Sequence, residues 1–270
     1  MTTSTQWQLA AKSAERYQTI LTPAILGPFA HALVDFAAPQ EHESIVDIGC
    51  GTGAAARYAA KMTGAGGNVT GIDVNPSMLA VARSLPAQGV PVEWREGSAM
   101  QLPLPDNSAD VVLCAQTLQF LPDKQKSLLE MQRVVKRNGR IALSLWCDII
   151  ENPYFHTLVN AVAKYIGPET AVGLQSAFAL TDIKTIQTLL KEAGMTQLEM
   201  TVAQLDLPFP DLTTFVPRHI SATPMAAGFN LAAPSVQQTI IQEIVMKLKR
   251  FGENGRLQIP FRSHMIIITP

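Results

Sequence analysis

Three glycines and one aspartate in the first third of the sequence form a pattern that could bind a nucleotide-like ligand. The segment VDIGCGTG contains Gly49, Gly51 and Gly53, and glycine backbone reaches conformations closed to other residues and lets a ligand approach closely. Asp73 follows about 20 residues later, where an acid can accept hydrogen bonds from both hydroxyls of an adenosine ribose. The spacing predicts a site for a ribose-bearing ligand.

The same residues allow two other interpretations. Gly49, Gly51 and Ala54 also fit the dinucleotide pattern G-x-G-x-x-G/A, which keeps a nicotinamide-dependent dehydrogenase open. Asp73 could instead cap a helix that begins at Pro76. The glycine turn alone does not decide between these alternatives.

The elements that must position these residues alternate between strand and helix. This alternation predicts a parallel sheet with helices on both faces. In such sheets, ligands bind beyond the carboxyl ends of the strands, which is where the glycine turn and Asp73 lie. The predicted strands cover residues 44–48, 68–73, 90–97, 109–116, 140–146, 195–207 and 257–270.

The length of 270 residues favours a single domain with insertions. We expect an N-terminal helical cap at residues 1–42 and a ligand-binding core at residues 43–146. Residues 147–180 and 208–256 interrupt the alternation and are expected to form lid or substrate-binding insertions.

Composition argues against several other classes of protein. The net charge is −1, and no concentrated basic face indicates nucleic-acid binding. Cys50, Cys114 and Cys147 lack metal-ligand spacing, so we expect no metal site and a reducing compartment. The sequence shows neither a signal peptide nor an uninterrupted apolar run of about 20 residues. We therefore expect a cytoplasmic protein without a membrane span.

Four segments in order, VDIGCGTG, GIDVNPSML, GSAMQLPLPDNSADVV and RVVKRNGRIALS, resemble the class I S-adenosylmethionine-dependent methyltransferases. The likeness is greatest to the small-molecule branch, which includes the ubiquinone and menaquinone biosynthesis methylases. It covers about residues 44–146 closely and the rest in outline. It implies a Rossmann-like α/β fold with a seven-stranded, mostly parallel sheet, an antiparallel last strand, helices on both faces and helical lid insertions.

The resemblance also implies roles for individual residues. Asp47 would help to bind the methionine amino group, and Asp73 would hold the ribose. Ser98 stands where this family commonly has aspartate, so we expect a weaker contact to the adenine amino group. The complete set of expected cofactor contacts is Tyr17, Asp47, Gly49, Cys50, Gly51, Asp73, Val74, Met78, Ser98, Ala99 and Gln116.

The implied reaction is in-line transfer of a methyl group from S-adenosylmethionine to a small metabolite, with S-adenosylhomocysteine as product. Phenylalanines in the insertions suggest an apolar or aromatic acceptor, and His156 and His219 are candidate general bases. The alternatives are an RNA-modifying methyltransferase, the dehydrogenase and a non-catalytic cofactor-binding protein. The methylated atom, the pathway and the oligomeric state stay open.

Overall fold

The computed structural model describes residues 11–253 and 256–270, so the first ten residues of the expected N-terminal cap lie outside it. Seven strands form one sheet in the order β3-β2-β1-β4-β5-β8-β6, and a two-residue strand, β7, pairs with the start of β8. The strands are β1 Ser44–Ile48, β2 Asn68–Asp73, β3 Val92–Glu96, β4 Ala109–Ala115, β5 Val135–Trp146, β6 Gln197–Pro208, β7 Gly252–Glu253 and β8 Arg256–Thr269.

Strands β1 to β5 pair in parallel, whereas β8 is antiparallel to both of its neighbours, β5 and β6. The predicted seven-stranded sheet with an antiparallel last strand is therefore confirmed. The sheet reverses its order between β1 and β4, and the residues after these two strands lie at the same edge. This edge is where ligands bind in open α/β sheets.

Eleven α-helices and one π-helical segment, Tyr17–Leu26, surround the sheet within the described ranges. The α-helices are α1 Ala11–Arg16, α2 Gly27–Ala37, α3 Ala54–Ala59, α4 Pro76–Ser84, α5 Lys124–Val134, α6 Pro153–Tyr165, α7 Pro168–Gln175, α8 Ile183–Glu192, α9 Leu212–Ser221, α10 Ala226–Leu231 and α11 Pro234–Leu248. Both expected insertions are thus mainly helical.

Alternate side chains of the central strands enter two separate cores, as expected for strands buried on both faces. Val111 and Leu113 of β4 join a core with α2, α3, α6 and α11. Val112 and Cys114 join a second core with α5 and α8. The sheet is therefore packed against helices on both faces, and this packing positions its carboxyl edge.

The junction between α5 and β5 differs from the sequence prediction. The pair Asn138–Gly139 is typical of a helix end, and the predicted strand accordingly began at residue 140, but α5 ends at Val134 and β5 starts at once. Pairing with β4 shifts from Ala109–Val135 to Val111–Arg140. Residues 136–139 therefore form an irregularity within β5. The sequence prediction had assigned the turn residues Asn138 and Gly139 to the end of the helix instead.

One helical stretch among the described residues, Ala11–Ala37, is long and apolar enough to cross a membrane by length and composition. However, 56% of its most apolar window is buried inside the protein, where Phe29 and Leu33 are fully buried. A core helix passes the same test, so this stretch is weak evidence for membrane insertion.

The core role of this stretch can be tested by removing one methylene group. Ile25 is 1% exposed and packs in the core shared with α2 and α6. We expect Ile25→Val to lower the free energy of unfolding by about 0.5–1.5 kcal/mol, measured by urea denaturation. Ile150→Val is the matched control, because Ile150 is 70% exposed and should show little change.

Candidate active site

The glycine turn after β1 takes a backbone conformation that only glycine adopts without strain. Gly49 and Gly51 have φ values of +67° and +54°, in the left-handed region. A Cβ atom on Gly49 would lie 2.2 Å from the Thr117 side chain, whereas one on Gly51 would have no other heavy atom within 4 Å. The turn is therefore packed on one side and open above Gly51.

Asp73 at the end of β2 is directly connected to this turn. One carboxylate oxygen accepts a hydrogen bond from the Gly51 backbone N–H at 2.8 Å, and the other accepts from the Asn75 N–H at 2.8 Å. Helix α4 is capped by the Asn75 side chain, which accepts from the N–H groups of Ser77 and Met78. Asp73 therefore does not cap the helix, and its remaining lone pairs can accept further hydrogen bonds.

A cavity of about 250 Å³, here called the large cavity, is bordered by both the glycine turn and Asp73. Nine of the eleven residues expected to contact the cofactor border it. They are Tyr17, Gly49, Gly51, Asp73, Val74, Met78, Ser98, Ala99 and Gln116. The structure thus brings together residues that span almost a hundred positions of the sequence.

Asp47 borders a smaller adjoining space of about 50 Å³, here called the Asp47 recess, together with Gly49 and Cys50. It is 1% exposed, and one oxygen accepts a hydrogen bond from the Ala56 N–H at 3.0 Å. The other oxygen is buried without a hydrogen-bond partner among the described residues. Burial raises the pKa of Asp47 to about 7. A buried carboxylate oxygen without a partner suits a cationic ammonium group.

The remaining residues on the expected adenine side differ in their surroundings. Val74 is 56% exposed and Met78 is 7% exposed, and both offer apolar surface to the large cavity. The Ser98 hydroxyl accepts a hydrogen bond from the Met100 N–H at 3.2 Å and so stabilises its own turn. Burial raises the pKa of Cys50 well above its ordinary value, which keeps the thiol protonated and unreactive.

Tyr17 and Gln116 each border the large cavity, the Asp47 recess and a third cavity. Tyr17 begins the π-helical segment, and such segments occur frequently at functional sites. Gln116 has a φ of +49°, which is unusual for a residue with a side chain and common at ligand sites. Its amide Nε2 donates to Ser263 Oγ at 2.8 Å. These two residues mark the point where the three spaces meet.

The third cavity, here called the apolar cavity, has a volume of about 70 Å³. Its walls come from the N-terminal segment, the turn after β4, β5 and both helical insertions. The bordering residues are Tyr17, Leu21, Ile25, Leu26, Gln116, Gln119, Phe120, Trp146, Phe155, Leu174, Ala177 and His219. Aspartate, glutamate, lysine and arginine are all absent from this set.

The two candidate bases have different locations. His219 borders the apolar cavity, is 1% exposed and hydrogen-bonds through Nδ1 to the Tyr154 hydroxyl at 2.8 Å. Burial lowers its pKa to about 3, which makes it a weak base at neutral pH. His156 borders none of the three cavities and pairs with Asn160 on α6. The structure therefore does not support a general-base role for either histidine.

Sequence reasoning missed several residues around the apolar cavity, notably Gln119, Phe120 and Trp146. The first two lie in a short 3₁₀ turn, Leu118–Phe120, directly after β4, and Trp146 ends β5. Their position at the carboxyl ends of two predicted strands was the available signal.

Comparisons with known proteins show which families the chain is similar to. Residues 46–143 match the family model described as a methyltransferase domain. An arsenite methyltransferase from Halobacterium salinarum is 30% identical over 167 residues, which are 61% of this chain and 40% of that protein. A demethylmenaquinone methyltransferase from Listeria monocytogenes is 34% identical over 131 residues, which are 48% of this chain and 55% of that protein.

A solved structure shows the same fold. The phospholethanolamine N-methyltransferase 2 of Haemonchus contortus, solved with S-adenosylhomocysteine, aligns with a TM-score of 0.59 and 16% identity. The alignment covers 98% of this chain and 58% of that one. This chain spans about half or less of the length of the two curated relatives described above.

The sheet order, the glycine turn and the two aspartates define an α/β protein whose cavity at the carboxyl ends of the strands fits a ribose-bearing ligand. Residues 46–143, which include the glycine turn and both aspartates, match a methyltransferase-domain family model. This part of the chain is therefore similar to the class I S-adenosylmethionine-dependent methyltransferases, including small-molecule enzymes such as the demethylmenaquinone methyltransferase. S-adenosylmethionine is the methyl donor of this family, and the residues around the large cavity and the Asp47 recess fit it.

Proposed function

We propose that this chain transfers a methyl group from S-adenosylmethionine to a small apolar or aromatic metabolite in the apolar cavity. The observation that carries the proposal is the junction at Tyr17 and Gln116, where the large cavity, the Asp47 recess and the apolar cavity meet. A donor held in the first two spaces would present its reactive centre to a compound held in the third.

The residues of the chain have separable tasks in this reaction. Asp47 would bind the ammonium group and Asp73 the ribose hydroxyls, which fixes the donor at both ends. Gln116 would border the methyl group and the acceptor. Holding two reactants in alignment can lower the barrier by about 7–11 kcal/mol, and the apolar walls would keep water away.

S-adenosylmethionine supplies an electrophilic methyl group, and the carbon–sulfur bond breaks with its electron pair retained by sulfur as the acceptor bonds to carbon. An acceptor that carries a proton at the reacting atom must also release it. Because His219 is a weak base, we propose that it serves as a neutral hydrogen-bonding group rather than as a proton acceptor.

The helical insertions, residues 147–180 and 208–256, would form the lid over the acceptor. Phe155, Leu174, Ala177 and His219 come from these segments and border the apolar cavity. The absence of lysine and arginine from the residues that border this cavity disfavours RNA as the acceptor. Cytoplasmic location stays a prediction.

Calorimetry of the purified protein with S-adenosylmethionine and with NADH tests the cofactor assignment. We expect binding of the first compound and formation of S-adenosylhomocysteine when a panel of small aromatic acceptors is added. Binding of NADH alone would contradict the proposal. Binding of S-adenosylmethionine without turnover of any acceptor, including RNA, would favour the non-catalytic alternative.

The placement of the acceptor can be tested by reducing the apolar cavity. Ala177 is 8% exposed and borders only this cavity among the three. We expect Ala177→Phe to reduce kcat/KM for the acceptor by about tenfold or more, because the larger side chain would occupy the space proposed for the acceptor. The Kd for S-adenosylmethionine should stay unchanged.

Ala179→Phe is the matched control, because Ala179 is exposed two residues away and should leave both constants unchanged. Equal turnover in the Ala177→Phe variant and the unmodified protein would place the acceptor elsewhere.

A further inference from the structure

Gln119 has a buried hydrogen-bond acceptor without a donor. The residue is 3% exposed and borders the apolar cavity but neither of the other two spaces. Its amide oxygen Oε1 has no hydrogen-bond partner among the described residues. Leaving such an oxygen unpaired is destabilising, so a ligand that donates a hydrogen bond there would be favoured.

The orientation of the Gln119 amide follows from a chain of hydrogen bonds. Ser263 Oγ donates to the Leu145 carbonyl at 2.9 Å, and a carbonyl can only accept. Ser263 Oγ therefore accepts from Gln116 Nε2 at 2.8 Å, which turns the Gln116 oxygen towards Gln119. Gln119 Nε2 donates to that oxygen at 3.5 Å. The Gln119 oxygen is consequently the atom left without a partner.

The charge of the apolar cavity limits which donor can enter. The residues that border it include no carboxylate and no lysine or arginine. His219 is neutral at physiological pH because burial lowers its pKa to about 3. A cationic amine or an anionic carboxylate would lose its hydration without gaining a counter-charge. A neutral hydroxyl group meets both requirements.

We infer that Gln119 determines specificity by accepting a hydrogen bond from a neutral hydroxyl group on an aromatic methyl acceptor. This inference rests on the proposed function for the identity of the apolar cavity. The aromatic part would contact Phe120, Trp146 and Phe155, and the hydroxyl would satisfy the Gln119 oxygen. Phenols are the chemical class that this combination selects.

Binding of matched ligands tests the inference without turnover. The probes are 4-propylphenol and 4-propylanisole, which differ in that the ether cannot donate a hydrogen bond. We expect calorimetry to give a Kd for the phenol that is about tenfold to hundredfold lower than for the ether. In Gln119→Met this ratio should fall to about three or less, because the accepting oxygen is gone.

Two further variants separate hydrogen bonding from misfolding. Gln119→Glu keeps a carbonyl oxygen and should retain the preference for the phenol. Gln125→Met is the matched control, since the Gln125 oxygen is also buried without a partner in the described chain but borders none of the three cavities. This control should behave like the unmodified protein.

Three results would overturn the inference: equal affinity for both probes in the unmodified protein, an unchanged ratio in Gln119→Met, or no binding of the phenol at millimolar concentration. Failure of the proposed function would be a separate result, because the protein would then not bind S-adenosylmethionine. The preference between the two probes can be measured in either case.

Discussion

An Asp73→Ala variant should bind S-adenosylmethionine about tenfold to hundredfold more weakly than the unmodified protein, as measured by calorimetry. The substitution removes the carboxylate that would accept the ribose hydroxyls. It also removes the acceptor for the Gly51 N–H at 2.8 Å, so the glycine turn loses a support. Asp73→Asn keeps one accepting oxygen and should have a smaller effect.

Glu96→Ala is the matched control for this prediction. Glu96 ends β3 and pairs in register with Asp73 across the sheet, but it is exposed and borders none of the three cavities. Its substitution should leave the Kd unchanged. Equal affinities of the Asp73→Ala variant and the unmodified protein would remove Asp73 from the binding site.

Binding of S-adenosylmethionine should expel nearly one proton from the protein at pH 6, and Asp47→Asn should abolish this release. Burial raises the pKa of Asp47 to about 7, so the free carboxyl is mostly protonated at pH 6. The ligand ammonium group, with a pKa of about 7.7–8.0, is already charged and favours the ionised carboxylate. Affinity should therefore rise between about pH 5 and 7 and then level off.

The proton release is measured by calorimetry in buffers with different ionisation enthalpies. We expect Asp47→Asn to weaken binding by about a hundredfold, because the ammonium group loses a buried charge partner. Asp182→Asn changes an exposed helix cap and should retain the full proton release. A release that persists in Asp47→Asn would assign the proton to another group.

The same carboxyl has an opposite effect on the stability of the free protein. Because the pKa of Asp47 is higher in the folded chain than in the unfolded chain, the folded state binds the proton more tightly. This contribution to the free energy of unfolding is fully present below about pH 4 and is lost as the pH rises to about 7. The ionised carboxylate of Asp47 thus favours ligand binding but lowers the stability of the unliganded protein.

The sequence was sufficient to predict the order of strands and helices in the core. The residues from Gly49 to Gly53 have the local signature of a turn, and the nearby buried apolar runs have the signature of strands. The structure places these elements as expected. The prediction for the junction near Asn138 was wrong, because turn residues can occupy a strand irregularity as well as a helix end. Propensity cannot distinguish these two environments.

The grouping of the expected cofactor contacts around one cavity was also predictable, whereas the apolar cavity was not. Asp47 and Asp73 belong to motifs with fixed spacing, but Gln119, Phe155 and His219 meet only through the packing of distant helices. The sequence also does not show which face of α6 points inward, so it did not reveal that His156 borders none of the three cavities. A low pKa for His219 depends on burial, which no local pattern reports.

The position of β8 has a consequence for how the chain folds. This strand lies between β5 and β6, and its Ser263 is the partner that orients Gln116 across 147 positions of sequence. During synthesis, β5 and β6 leave the ribosome first with facing edges that have nothing between them. Such edges are prone to pair with other chains. Catalytic activity should therefore appear late in folding and abruptly, when β8 inserts between β5 and β6. Strand pairing between residues so far apart in the sequence is slow.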